Sequence, residues 1–222
     1  MPEYIKPSEH VFVAGKTGTG KTWLARKYLT GYKNVVCLDT KGTTIWPELP
    51  GTKWNDSTKQ LIDGGKEISL IRRLDQIESV DTPKLIYRPD PQEMTEEYYD
   101  AFFKWVYYRR HTVVWIDELL SIGTPYKMPF HYKACLTRGR ELNVGVWSLT
   151  QRPSGIPTLA MSEATHFIVF DLNMPQDRHK IAEITGMTEF LEKPSTEYGK
   201  YSFWYHNVEH DSAIPAIAVE KK

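Results

Sequence analysis

Residues 15 to 22 read Gly-Lys-Thr-Gly-Thr-Gly-Lys-Thr, and each residue type at its place has a task if the ligand is a nucleoside triphosphate. Gly15 and Gly20 let the backbone adopt conformations that a Cβ forbids, so successive N–H groups turn inward on phosphate oxygens. Lys16, Thr17, Gly18 and Thr19 complete the cradle. Lys21 carries a mobile positive charge to the β- and γ-phosphates, and Thr22 offers a hydroxyl to Mg²⁺. The flanks agree. Val11-Phe12-Val13-Ala14 is a short apolar run suited to a buried strand, and residues 22–29 have helical spacing. A helix starting there points its N-terminus at the phosphates. ATP and Mg²⁺ are the expected ligands.

A second constellation is Val113-Val114-Trp115-Ile116-Asp117-Glu118, four apolar residues that deliver two carboxylates together. The carboxyl end of a strand in an open α/β sheet faces the ligand crevice. Asp117 there suits Mg²⁺, a hard cation that prefers oxygen ligands. Glu118 suits a water poised for in-line attack on the γ-phosphate. Two solvated acids at a strand end would be the bland reading, and the phosphate loop upstream disfavours it. A glutamate directly after the metal aspartate favours hydrolysis of ATP over transfer to a small acceptor. A third constellation runs through Arg138 and Arg140, a strand at 144–149, and then Thr150-Gln151-Arg152-Pro153-Ser154. The Gln151 amide, at the end of a strand beside the Asp117-Glu118 strand, can bond both the γ-phosphate and the attacking water, and so report nucleotide state to the loop that follows.

These residues need a scaffold. Strand-like runs fall at 11–14, 35–39, 84–87, 112–117, 144–149 and 166–170, with weaker ones at 201–206 and 214–219. Helical patterns intervene at 22–29, 95–108, 132–142 and 176–185. Continuous apolar strands alternating with helices predict an α/β fold with a mostly parallel central sheet flanked by helices, and a small β extension near the C-terminus. In the 95–110 helix, Glu96 and Glu97 suit the positive start and Arg109 and Arg110 the negative end, with Tyr98, Phe102, Trp105 and Val106 as its apolar stripe. Residues 52–80 are too weakly patterned to assign.

A chain of 222 residues can bury one substantial core, so 1–222 is taken as a single domain. Lys plus Arg equals Asp plus Glu at 28 each, so contact with nucleic acid requires a local patch. No apolar run is long enough for a transmembrane helix, and the first six residues lack the apolar centre of a secretory signal. Cys37 and Cys135 have neither disulfide-framework nor metal-site spacing and are expected to be packing thiols in a reducing compartment.

Taken with the phosphate loop and the Asp117-Glu118 pair, the stretch Arg-Glu-Leu-Asn-Val, a strand, and Thr-Gln-Arg-Pro-Ser resembles the FtsK–HerA superfamily of ring-forming DNA-pumping ATPases. Residues 164–170 and 176–181 look like the family's next strand and helix, and Asp39-Thr40-Lys41-Gly42 like its Asp-x-Lys-Gly turn. The lack of a membrane region, winged helix or amino-terminal barrel makes the chain most similar to the genome-packaging ATPases of tailless icosahedral viruses with an internal membrane. The resemblance implies a RecA-like P-loop motor domain in a homo-oligomeric ring, hexamer or pentamer, that moves double-stranded DNA into a preformed capsid. It implies Gln151 as sensor, Arg140 or else Arg138 as the arginine offered to a neighbour's ATP, and Arg178 as a further functional arginine. Capsid or portal-vertex proteins are the implied partners, and the host cytoplasm or a packaging vertex the implied location. The alternatives are a phage-export or conjugation coupling ATPase and a non-motor nucleotide switch or kinase. The loop 121–133, rich in Gly, Pro, Lys and aromatics, is either a pore lining, with Lys127 and Lys133 on DNA phosphates, or a surface loop. Lys41 and Lys53 are weaker DNA candidates.

Overall fold

Each apolar run singled out above lies in a strand, and the strands pair so that the polar residue following each one collects at a common rim. The computed structural model describes residues 4–194, 201–210 and 212–217. In chain order the elements are β1 (Val11–Ala14), α1 (Lys21–Thr30), β2 (Val35–Leu38), β3 (Lys53–Asn55), β4 (Gln60–Asp63), β5 (Ile68–Ile71), β6 (Lys84–Tyr87), α2 (Glu96–Arg109) and β7 (Thr112–Ile116). There follow α3 (Phe130–Arg138), β8 (Val144–Thr150), α4 (Leu159–Ser162), β9 (His166–Phe170), α5 (Pro175–Thr185), β10 (Ser202–Asn207) and β11 (Ile214–Ile217).

Nine strands form one sheet in the order β11-β10-β9-β1-β8-β7-β2-β6-β5. From β9 to β5 every pairing is parallel, while β10 and β11 add antiparallel at one edge. That is the predicted sheet with its C-terminal β extension, which here continues the main sheet. The end of the predicted 214–219 strand lies outside the described residues.

Alternation along the strands divides the core between two faces. Phe12, Val36, Val114, Ile116 and Val146 pack under α2 and α3, whereas Val13, Cys37, Trp115, Trp147 and Leu149 pack under α1 and Trp46. Trp46 meets Trp115 edge-on, with ring centroids 5.5 Å apart. Both cysteines are buried free thiols, and burial raises Cys135 to about 12, which suits packing residues.

Three local expectations change. On α2 the buried face is Tyr99, Phe102, Phe103 and Val106, and Tyr98 is exposed, so the stripe is rotated by one residue. The predicted 132–142 helix runs instead over Phe130–Arg138 and tightens into a 3-10 turn, Gly139–Leu142, whose first residue packs so close to Val144 that a Cβ there would sit 2.8 Å from its carbonyl oxygen. Residues 52–80 hold a small β3–β4 hairpin, the edge strand β5 and a 3-10 turn.

Candidate nucleotide site

Four adjacent parallel strands, β1, β8, β7 and β2, end at the same rim of the sheet. They deliver the phosphate loop, Gln151, Asp117-Glu118 and the turn after Leu38 respectively. The loop between β1 and α1 is shaped by its glycines. Gly20 has φ 101°, a left-handed conformation, and a Cβ on Gly15 would sit 2.6 Å from Phe170 Cβ. Lys21 lies inside the loop, donating to the carbonyl oxygens of Gly15 at 2.5 Å and Lys16 at 3.0 Å. Burial, aided by the neighbouring charge of Lys41 and opposed by Glu118 and Asp117, lowers its ammonium to about 8. Phosphates favour the charged form, so ATP affinity should be level below pH 8 and fall as pH rises above it, by up to about tenfold per unit. Binding titrations from pH 7 to 9.5 measure this, and a flat profile would mean that Lys21 does not titrate in that range.

Thr22 Oγ1 donates to Asp117 Oδ1 at 2.9 Å. This hydroxyl–carboxylate pair is an oxygen donor set of the kind that Mg²⁺ prefers. Burial raises the Asp117 carboxyl, against the Thr22 hydrogen bond, so a cation beside it would relieve a real electrostatic cost.

Gln151 links the loop to the acid pair. Its Oε1 accepts from Thr17 Oγ1 at 2.8 Å, and its Nε2 donates to Glu118 Oε2 at 3.2 Å. The same Glu118 oxygen accepts from Lys41 Nζ at 2.7 Å. Lys41, named above as a weaker DNA candidate, thus borders this site. Its turn is held by a buried pair: Arg88 Nε donates to Asp39 Oδ2 at 2.9 Å, and Asp39 accepts from the backbone N–H groups of Thr43 and Thr44. The loop after Gln151 is fastened to α5. Ser154 donates to Asp177 through its N–H and its hydroxyl, and Arg152 lies 3.4 Å from the same carboxylate.

Beyond β9, Asp171 was not singled out in the sequence and yet borders the loop. Its carbonyl accepts from Lys16 N–H at 2.9 Å, and its carboxylate pairs with Lys16 and Arg178 and lies 3.5 Å from Lys193. Burial opposes the charge, but these cations hold its carboxyl below the usual range. Arg178 thus sits at its own subunit's phosphate rim. Arg140 does not. It precedes β8 at the opposite end of the strands, where Nη2 donates to Glu163 O at 2.7 Å and Thr165 Oγ1 at 2.8 Å. Beside it, burial and the Arg140 charge lower His10 to about 4, keeping it neutral between Leu136 O and Val146 N–H. Arg138 is exposed at the end of α3.

No protein-family model matches the chain. In sequence it is 29% identical, over 182 residues, to the DNA packaging ATPase P9 of Enterobacteria phage PRD1, covering 78% of this chain and 68% of P9. In fold it is similar to the genome packaging NTPase B204 of Sulfolobus turreted icosahedral virus 2, solved with ATP-gammaS, at TM-score 0.72 and 17% identity over 95% of this chain and 98% of B204. A more distant likeness is the pCW3 conjugation coupling protein TcpA, at TM-score 0.54 and 13% identity, covering 94% of this chain and 59% of TcpA. With the loop, the acid pair and the glutamine brought together on one rim, the chain is a P-loop ATPase, similar in sequence to the packaging ATPase P9 and in fold to the packaging NTPase B204.

Proposed function

We propose that this ATPase is the motor of viral genome packaging, hydrolysing ATP to drive double-stranded DNA into a preformed capsid. The observation that carries the reading is the Thr17–Gln151–Glu118 chain of hydrogen bonds, because it ties the phosphate loop and the water-activating carboxylate to one loop that leaves the site. Lys21 and the loop N–H groups bind and orient the phosphates, Glu118 takes the proton of the attacking water, and Gln151 holds that water in line. Thr22 and Asp117 would hold Mg²⁺, which would supply positive charge to offset that of the phosphates.

The relay has an outlet. The segment after Glu118 touches the segment after Gln151: a Cβ on Gly155 would lie 3.1 Å from Leu120 Cδ1, and one on Gly123 would lie 3.0 Å from Pro157 Cγ. The first segment then forms a small hairpin closed by Thr124 and Lys127, with Tyr126 at its tip 99% exposed. This hairpin is the proposed DNA contact. Lys127, paired with Glu96, and the exposed Lys133 face phosphates, and Tyr126 adds a flat apolar surface. The motor works as a homo-oligomeric ring, hexamer or pentamer, at a capsid vertex. The parallel to P9 and B204, both named for packaging, supports this placement. No helix among the described residues is long and apolar enough to cross a membrane.

The test is ATP turnover by the full chain with and without double-stranded DNA. DNA of any sequence should stimulate turnover. Changing Lys127 and Lys133 together to Ala should weaken binding to every sequence alike and flatten the salt dependence by roughly one unit of slope per lysine. Turnover indifferent to DNA would overturn the motor reading.

A further inference from the structure

Lys41 brings a second cation to the rim where the phosphate loop and the acid pair meet, and neither motif calls for it. We propose that Lys41 is a catalytic residue that exchanges partners during the cycle, held on Glu118 without nucleotide and moving to the γ-phosphate when ATP binds. The inference rests on the ATPase reading of the site and deepens it.

The geometry supports both positions. Lys41 Nζ lies 2.7 Å from Glu118 Oε2, and its side chain is 35% exposed against 8% for Glu118, so the lysine is the mobile partner. Its backbone is not mobile. The Asp39–Arg88 pair is buried, Arg88 also donates to the carbonyl oxygens of Lys59 and Thr44, and Asp39 caps the backbone of Thr43 and Thr44. A turn so fastened presents one long flexible cation from a rigid base. A lysine fits this task better than an arginine because its compact charge sits on four rotatable carbons. The turn stands beside the phosphate loop, since Glu118, which Lys41 contacts, is joined through Gln151 to Thr17 of that loop.

The exchange also has a direction. Lys41 and Gln151 both donate to Oε2 of Glu118, while Oε1 is buried and has no protein hydrogen-bond partner. An ammonium held on Oε2 covers that oxygen of the carboxylate. A γ-phosphate competes for the ammonium with more negative charge than a single carboxylate. When Lys41 moves to the phosphate, Oε2 is uncovered for the attacking water, and the departing phosphoryl group gains a cation for its developing charge.

Four full-length variants test this: Lys41→Met, Lys41→Arg, Glu118→Gln, and the Glu118→Gln/Lys41→Met double variant. Lys41→Met should retain its melting temperature and bind a fluorescent ATP analogue within about 3-fold of the parent, yet lose about 100-fold in kcat, the scale for one lost transition-state donor. Lys41→Arg should recover about a tenth of parental kcat or more, since the charge is kept. Glu118→Gln frees Lys41 for the phosphate and should tighten ATP binding several-fold, and the double variant should lose that gain. Parental kcat in Lys41→Met, or equal ATP affinity in Glu118→Gln and the double variant, overturns the proposal while leaving the ATPase reading intact. A parent with no Lys21-dependent turnover overturns both.

Discussion

Glu118→Gln is expected to cut kcat by about 10²–10⁴-fold, the usual worth of a positioned general base, while ATP stays bound. Lys21→Ala is expected to lose both turnover and affinity. The roles separate because the two groups meet different atoms. Lys21 lies in the loop interior against the carbonyl oxygens of Gly15 and Lys16, where phosphate oxygens replace those partners in the ground state. Glu118 lies one residue beyond Asp117 and reaches the loop only through Gln151. Gln is isosteric with Glu and can keep a hydrogen bond to Gln151, so the fold and the phosphate cradle survive the exchange. Phosphate release and analogue binding, measured on the same preparation, check both halves. Parental turnover in Glu118→Gln would remove the residue as base. Among the described residues the remaining carboxylates at the rim are Asp117, which pairs with Thr22, Asp39, which is taken up by Arg88, and Asp171, which is surrounded by cations.

The parallel strands were legible because both of their faces are buried, which leaves an apolar run four or five residues long with nothing polar to confuse it. The site followed, because its chemistry sits at the ends of those runs. Where one face meets solvent, the signal faded. The β3–β4 hairpin has mostly exposed side chains, and its strands of three and four residues are too short to show a period. On α2 the run Glu-Glu-Tyr-Tyr-Asp-Ala-Phe-Phe offers aromatic pairs, and spacing alone does not choose between Tyr98 and Tyr99. Packing against Tyr87 decides it, since Phe102 lies 5.3 Å from that ring and sets the face. Lys41 and Asp171 were missed as site residues for a different reason. Each is a charged residue just past a strand, and only the sheet order, with β2 beside β7 and β9 beside β1, brings them to the loop. The turn Asp39-Thr40-Lys41-Gly42 was the available signal for the first. Asp171 had none.

The two arginines should separate cleanly in mixed assemblies. Arg140 lies before β8 and Gln151 just after it, so seven strand residues, roughly 20 Å, separate it from its own nucleotide site. It can serve catalysis only in a neighbouring subunit, whereas Arg178, bonded to Asp171 at 2.8 Å, already stands at its own. An arginine offered in trans contributes about 10³–10⁵ in rate, so Arg140→Ala assemblies should be nearly inactive. Mixing them with Glu118→Gln subunits should restore part of the turnover, because some interfaces then join an intact carboxylate to an intact arginine. Arg178→Ala subunits mixed with the same partner should recover nothing, since no subunit then holds a complete rim. The Arg140 hydrogen bonds to Glu163 O and Thr165 Oγ1 make a control necessary. Loss of the melting transition in Arg140→Ala alone would mark it as a brace between the chain before β8 and the chain before β9. If mixed assemblies form and remain inactive while Arg140→Ala stays folded, its role in trans is excluded, and a fully active isolated subunit would exclude the ring motor itself.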